Sequence, residues 1–312
     1  MNLIFCGTPQ FAVPTLERLI AEKFPIQLVI TNPDEPRDRG HKVQPSAVKE
    51  AALRHGLPIY QPAKLRTEEA RNFISQYRPD AIVIVAYGQI VPQWMIDLPP
   101  YGCINLHASL LPKYRGAAPI AWAIIRGEKE TGVTTMKIDA GMDTGEILLE
   151  RREPIHDDDT TETLSQRLSV IGADLMVETL RKLERGEIVP RPQDSRFATL
   201  APRLKKEDGL IDWTRPADEI ARRVRGLVPW PGAYTSFRDK QLHIWRAEPV
   251  PAAGEAAIAP GTLLLDGGRL AVACGAGTML VLHEVQLEGR KRLGARDFVN
   301  GARVQSGEKL GS

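Results

Sequence analysis

The 312-residue chain contains only three cysteines, Cys6, Cys103 and Cys274. Their number is odd, their separations are wide, and each lies in an apolar, strand-like context. They argue against a disulfide framework and against a zinc site, and a reducing cytoplasm is the expected setting. No apolar run approaches the roughly 20 residues that a membrane span needs. Met1 leads almost directly into Leu3-Ile4-Phe5-Cys6, with no basic stretch before it and no cleavage site, so no export signal is expected. The turn after this first run, Gly7-Thr8-Pro9, has one glycine where a dinucleotide fingerprint has three, which removes the case for a nicotinamide or flavin site. There is no internal repeat.

With 43% hydrophobic residues, the chain is long enough for a sizeable core and two domains. The net charge of +2 is unevenly spread. Residues 1–190 carry 22 Lys and Arg against 25 Asp and Glu, and residues 191–312 carry 19 against 14. A basic second half is compatible with a polyanionic partner.

The first half alternates apolar strands with helical patterns. Asn2–Cys6, Ile26–Thr31 and Ala81–Ala86 read as buried strands, and 46–55 and 67–77 as helices. This implies βαβ units and a Rossmann-like, mostly parallel sheet. Leu164, Leu168, Ile171, Leu175, Leu180 and Leu183 recur at helical spacing over 160–185. Asp157-Asp158-Asp159 precede that helix, where its dipole favours negative charge. A metal site is the other reading of three acids, but no partner ligand pattern accompanies them. Periodicity then lapses around 188–206 into Pro190, Pro192, Gln193 and Pro202 with scattered Arg and Lys, the pattern of an interdomain linker. Beyond it come one helix, about 216–226, and short strands at 233–237, 241–247, 261–265, 269–273 and 279–288. Turns such as Asp266-Gly267-Gly268 separate them, which predicts a small β-barrel. Residues 251–260 read as a surface loop, and Trp213 and Trp230 as domain core.

The chemistry concentrates in Cys103-Ile104-Asn105-Leu106-His107-Ala108-Ser109-Leu110-Leu111-Pro112-Lys113-Tyr114-Arg115-Gly116. Asn105 and His107 are two apart, so on a strand both side chains leave the same face. Pro112 and Gly116 then force a loop. Open α/β sheets place their sites at such carboxyl ends. A second strand, from Gly132, runs into the turn Asp139-Ala140-Gly141-Met142-Asp143-Thr144-Gly145. These are an amide, an imidazole and a carboxylate, groups that can donate hydrogen bonds and move protons. Asn105 can donate to a developing oxyanion, a role worth about 3 kcal/mol. His107 can donate to the same oxygen and move a proton near neutral pH. Asp143 can stabilise the imidazolium, or take the proton of the attacking amine through water. A bland reading exists for each residue alone, as a satisfied core histidine and a turn aspartate. Ser109 as a nucleophile beside His107 is a further alternative, although it lies outside any nucleophile-elbow pattern.

These two segments resemble the formyl-tetrahydrofolate-dependent formyltransferase family, whose signature is an Asn-x-His-x-Ser loop followed by a Gly-x-Asp-Thr-Gly turn. Further matches are Phe5-Cys6-Gly7-Thr8-Pro9-Gln10-Phe11-Ala12-Val13-Pro14 and Pro229-Trp230-Pro231-Gly232-Ala233-Tyr234-Thr235, so the resemblance covers the chain. It implies a catalytic domain over 1–188, a basic linker over 189–206, and an OB-like, tRNA-binding β-barrel over 207–312. It assigns catalysis to Asn105, His107 and Asp143, with no metal. Formyl-tetrahydrofolate is the implied donor, surrounded by Tyr87, Gly88, Gln89 and Ile90, by Ser109, Leu110, Leu111 and Pro112, and by Asp139. The implied acceptor is the amino group of initiator methionyl-tRNA, and the chain is expected to act as a cytoplasmic monomer.

In the family branch that modifies charged tRNA, a loop after the second strand enters the acceptor end. Here it is 31–42, with Arg37, Arg39, His41 and Lys42, and the resemblance gives Arg39 the important contact. Asp38 and His41 depart from the small residue and lysine common there, which predicts a weaker charge-based grip. A solvated turn is the default reading. Arg203, Lys205 and Lys206, with Arg222, Arg223 and Arg225, form a candidate surface for tracking phosphates. The alternative acceptor is an amino sugar nucleotide or another small amine such as glycinamide ribonucleotide. A folate- or RNA-binding regulator on a dead enzyme scaffold is the reading from another class.

Overall fold

The computed structural model describes residues 1–37, 42–251 and 258–311. Two compact units divide the chain. One comprises Met1–Gly116, Glu130–Pro154 and Ser165–Ala201, and the other Ala117–Lys129, Ile155–Leu164 and Pro202–Ser312.

In the first unit the chain runs through β1 (Leu3–Gly7), α1 (Val13–Ala21), β2 (Ile26–Ile30), β3 (Glu35–Arg37), β4 (Lys42–Gln44), α2 (Ala47–Arg54), β5 (Ile59–Tyr60), α3 (Glu68–Ile74), β6 (Ala81–Val85), α4 (Gln93–Ile96) and β7 (Cys103–His107). Helices α2 and α3 begin where the sequence supplies side-chain caps. The Ser46 hydroxyl accepts from Lys49 N at 3.0 Å, and Thr67 Oγ1 from Ala70 N at 3.2 Å, each satisfying an amide that the helix leaves without a partner. After α5 (Pro119–Ile125), which belongs to the second unit, β8 (Glu130–Lys137) and β9 (Ile147–Pro154) complete the sheet.

Its order is β5-β2-β1-β6-β7-β8-β9. The pairings from β5 to β7 are parallel, whereas β7–β8 and β8–β9 are antiparallel. The parallel-rich α/β sheet expected from alternating helices and strands is therefore present, with an antiparallel edge. β1 and β6 are buried throughout, as continuous apolar strands covered on both faces must be. Ile4, Cys6, Leu28, Ile30, Ile82, Ile84 and Cys103 form the core with Met95 and Tyr87. Burial pushes the Cys103 thiol up to about 12, so it stays protonated and inert. The segment 31–42, expected as a loop, carries instead the two antiparallel strands β3 and β4, with Arg37 opposite Lys42. Arg39 and His41 lie outside the described residues.

The amphipathic helix α6 spans Thr161–Glu184. Asp159 sits just before it, with its carboxylate accepting from His156 N at 2.8 Å and Thr163 Oγ1 at 2.9 Å. The helix-start reading of that acidic run thus has a concrete geometry.

In the second unit, α7 (Ala217–Gly226) packs on α5 so closely that a Cβ on Gly226 would meet Ile125 Cγ1 at 2.6 Å. The strands that follow are β10 (Ala233–Phe237), β11 (Lys240–Val250), β12 (Leu263–Asp266), β13 (Arg269–Ala273), β14 (Met279–Leu287) and β15 (Leu293–Gly294), before α8 (Ala295–Ala302). They form an antiparallel sheet of order β10-β11-β14-β13-β12, with β15 also paired to β14. β10 and β12 are its ends, and no pairing joins them among the described residues, so ring closure is not part of this sheet. Its core of Leu242, Ile244, Leu263, Leu270, Val272, Leu280, Leu282 and Val285 is continuous with Ile220, Val224 and Trp213.

One sequence expectation here is corrected. Trp230, expected in the core, is 55% exposed, while Trp213 is buried and donates its indole N–H to Thr235 Oγ1 at 3.1 Å. Trp230 lies between Pro229 and Pro231, outside the alternating strands that would turn it inward. Arg222, Arg223 and Arg225, candidates for tracking phosphates that helical spacing does not place on one face, are each engaged within the fold. Arg222 pairs with Asp218, Arg223 donates to Asp208 O at 2.6 Å and Arg225 to Asp159 O at 2.7 Å. Burial lowers the proton affinity of Arg223 and Arg225, so both act as internal ties.

Candidate active site

Strand β7 ends with Asn105 and His107 on one face, as the two-residue period requires. The register puts His107 opposite Thr134 of β8. His107 is buried, and its Nε2 lies 2.9 Å from Tyr114 O. A carbonyl can only accept, so Nε2 carries the proton of the neutral ring and Nδ1 keeps its lone pair. Nδ1 faces Asp143 Oδ2 at 3.7 Å. A proton carried at Nδ1 therefore faces the Asp143 carboxylate. Asn105 is half-buried, and its side-chain amide makes no hydrogen bond to the described residues, which leaves it free to donate to a bound oxygen.

The loop after β7 is rigidly tied. Ser109 Oγ donates to Lys113 O at 2.6 Å, and Ser109 O accepts from Thr134 Oγ1 at 2.7 Å, the same hydroxyl that accepts from Leu111 N at 3.2 Å. Ser109 is fully buried. Its hydroxyl closes the loop and does not touch His107, which removes the nucleophile alternative. Leu111 packs with Met136 and Ile147 in a small apolar cluster.

Asp143 sits in the left-handed region at φ 54°, a conformation that a non-glycine residue holds only when its surroundings fix it. Its Oδ2 accepts from Gly116 N at 2.8 Å. Asp139 Oδ1 accepts from Gly141 N at 3.0 Å and Thr144 Oγ1 at 2.7 Å, so this carboxylate shapes the turn from within. Gly145 is required sterically, because a Cβ there would lie 1.8 Å from Lys137 O.

Three residues without a role in the sequence reading hold these parts together. Gln193 Nε2 donates to Asp143 O at 2.9 Å and Gly145 O at 2.8 Å, and its Oε1 accepts from Arg115 Nε at 3.0 Å and a terminal guanidinium nitrogen at 2.7 Å. Thr199 Oγ1 accepts from Tyr114 N at 2.9 Å, and Thr199 O from Arg115 N at 2.8 Å. The stretch presented by the sequence as linker is thus fastened to the site from Arg191, which exchanges two backbone bonds with Ile147, to Ala201.

The segment 85–91 divides into committed and open groups. Tyr87 is core, and its carbonyl accepts from Asn32 Nδ2 at 3.1 Å and Thr8 Oγ1 at 3.3 Å. The Gln89 amide is taken by Leu65 N, Asn32 Oδ1 and Pro62 O. Gly88 (φ 86°) has open space, with Asn32 Nδ2 at 3.9 Å the nearest atom to an added Cβ. Ile90 is 90% exposed and so stands outside the strand core. Leu110 and Pro112 are half-buried, and Asp139 is exposed. Among the cations, Arg203, Lys205 and Lys206 are exposed, and Arg37 and Lys42 stand opposite each other in β3 and β4.

A family model described as formyl transferase matches residues 1–180, and one described as formyl transferase, C-terminal domain, matches residues 203–303. The chain belongs to the formyl transferase family. Among curated formyl transferases, the methionyl-tRNA formyltransferase of Koribacter versatilis is 55% identical over 312 residues, which is 100% of this chain and 99% of that protein. Solved structures share the fold at low identity. The N-formyltransferase from Helicobacter canadensis, in complex with folinic acid and dTDP-3-aminofucose, is 20% identical with a TM-score of 0.67, over 90% of this chain and 98% of that one. HypX from Aquifex aeolicus, in complex with tetrahydrofolic acid, is 17% identical with a TM-score of 0.63. It covers 99% of this chain, which spans 48% of its length.

Proposed function

We propose that the chain transfers a formyl group from formyl-tetrahydrofolate to the amino group of initiator methionyl-tRNA. The observation that carries this reading is the convergence of Asn105, His107 and Asp143 in a formyl transferase site, in a chain that matches the Koribacter enzyme along its whole length. Bound formyl-tetrahydrofolate supplies an activated one-carbon acyl group. The open space at Gly88 and the exposed Ile90 supply the backbone edge and apolar surface that a flat pterin needs.

In the transfer, the amine nitrogen forms a bond to the formyl carbon, the bond from that carbon to the donor nitrogen breaks, and the amine gives up one proton. The Asn105 amide donates to the oxygen that gains charge. His107 takes up at Nδ1 the proton that the amine gives up and delivers it to the donor nitrogen as that nitrogen leaves, with the Asp143 carboxylate facing the ring at that position. Asn105 and His107 lie beside each other because β7 is extended, and Asp143 joins them because the turn is held at Gly116 N and Gln193.

Charged tRNA is favoured over a small amine by the basic groups. We place Arg37, Arg39, His41 and Lys42 at the acceptor end, and Arg203, Lys205 and Lys206 along the phosphates. The three last are exposed cations with no acidic partner for their side chains among the described residues. The antiparallel second unit is read as an OB-like module, supported by the long β11 and its register shifts against β14 around Arg246, which bend a strand. The protein is read as a cytoplasmic monomer, in keeping with three buried free thiols.

The test offers initiator methionyl-tRNA, free methionine, glycinamide ribonucleotide and a dTDP-amino sugar separately with formyl-tetrahydrofolate. Turnover on the charged tRNA alone is expected. Turnover on the amino sugar would keep the chemistry and overturn the acceptor.

A further inference from the structure

Gln193 has all four of its hydrogen-bonding positions filled, and every partner belongs to the active-site loops. Both Nε2 hydrogens go to the turn that carries Asp143, at Asp143 O (2.9 Å) and Gly145 O (2.8 Å). Both Oε1 lone pairs go to Arg115, the residue immediately before Gly116, and Gly116 N holds the Asp143 carboxylate at 2.8 Å. A closed circuit results: turn carbonyls, Gln193, Arg115, Gly116 N, and back to the turn through the carboxylate. The third segment is itself anchored, by the Arg191–Ile147 bridge on one side and by Thr199 and Ala201 against Tyr114 and Arg115 on the other. Asp143 itself occupies the left-handed region. Gly116 (φ 119°) presses so close to Ala201 O, at 2.7 Å from an added Cβ, that the loop cannot retreat to compensate.

We propose that Gln193 is a positioning residue for formyl transfer, fixing the Asp143 carboxylate opposite His107 by tying the Asp143–Gly145 turn to Arg115. The inference rests on the reading of His107 and Asp143 as catalytic. The side chain reaches neither substrate nor reacting atoms and acts through Asp143. Its amide is the one uncharged group of its length that serves two carbonyls and a guanidinium together. A carboxylate in its place keeps the Arg115 contact but loses both donors to the turn. A methionine keeps the volume and loses every hydrogen bond.

The test uses the full-length enzyme, with Gln193→Met and Gln193→Glu assayed for kcat and for KM toward formyl-tetrahydrofolate and charged tRNA. A misplacement of about 1 Å costs about 100-fold in rate, so both variants are expected to lose about 100-fold in kcat. Both KM values should stay within about twofold, and the thermal transition within a few degrees. A role confined to general stability would lower the transition and the active fraction and leave kcat per active site unchanged. The decisive comparison is the cycle with Asp143→Asn: the Asp143→Asn/Gln193→Met double variant should be no slower than Asp143→Asn alone, because one effect runs through the other. Near-wild-type kcat in folded Gln193→Met or Gln193→Glu, or multiplicative losses in the double variant, would overturn the proposal. His107→Ala serves as the separate check. An active His107→Ala enzyme would undo the catalytic reading, whereas an inactive one beside fully active Gln193 variants would undo the positioning role alone.

Discussion

The polar groups of the two sheets are used in different ways. Around the carboxyl end of β7, side chains such as Thr134, Ser109, Thr199, Gln193 and Asp139 bond to backbone atoms of neighbouring loops, and most of these bonds are at least partly shielded from water. On the C-terminal sheet several charged groups pair with opposite charge at the surface: Arg238 with Glu308, and Arg292 and Arg246 with Glu284. Shielded side-chain-to-backbone bonds fix loop positions to fractions of an ångström, whereas exposed ion pairs contribute about 1 kcal/mol or less. Chemistry that depends on a 3.7 Å approach between an imidazole and a carboxylate belongs in the first environment. A surface that meets a large polyanion needs only charge.

This contrast can be broken or sharpened by substitution. The largest effect is expected at the reacting groups: Asn105→Ala and His107→Ala should each lose at least about 100-fold in kcat with folate binding retained, measured by single-turnover transfer and ligand titration. Next comes the frame. Gly145→Ala places a methyl against Lys137 O and should lower stability by about 1–3 kcal/mol, as overpacking does, with a matching loss of activity; an unaffected enzyme would show that the turn is not rigid. Arg39→Ala should raise KM for charged tRNA without changing folate affinity, and equal losses in both would defeat the assignment of that segment. Replacing Arg203, Lys205 and Lys206 with alanine should weaken tRNA binding and reduce the slope of log affinity against log salt by about 1 for each phosphate no longer neutralised. Turnover at saturating tRNA should persist. The smallest effect is Arg246→Ala, whose exposed pair with Glu284 should cost about 1 kcal/mol or less in chemical denaturation and leave activity intact.

Where the signal was local, the sequence carried it. The period-two spacing of Asn105 and His107, the glycines flanking Asp143 and the unbroken apolar runs of β1 and β6 all declare their structures within a few residues. The β10 and β13 boundaries, 233–237 and 269–273, emerge from alternation alone. Groups whose role depends on distant partners were hidden. Gln193 lies 50 residues from Asp143 and 78 from Arg115, and nothing in its own neighbourhood separates a loop amide from a structural tie. The ties of the α7 arginines were hidden for the same reason: the carbonyls that draw Arg223 and Arg225 inward belong to Asp208 and Asp159. Strand closure in the second unit was equally out of reach, since the count and spacing of strands do not say whether β10 and β12 meet.

The most direct test of the account is single-turnover formyl transfer to initiator methionyl-tRNA by the wild-type enzyme and by His107→Ala, each saturated with formyl-tetrahydrofolate. The account predicts rapid transfer in the first and a loss of at least about 100-fold in the second, with the donor bound equally well by both. Comparable rates in the two proteins would contradict it, and would move the chemistry away from the end of β7.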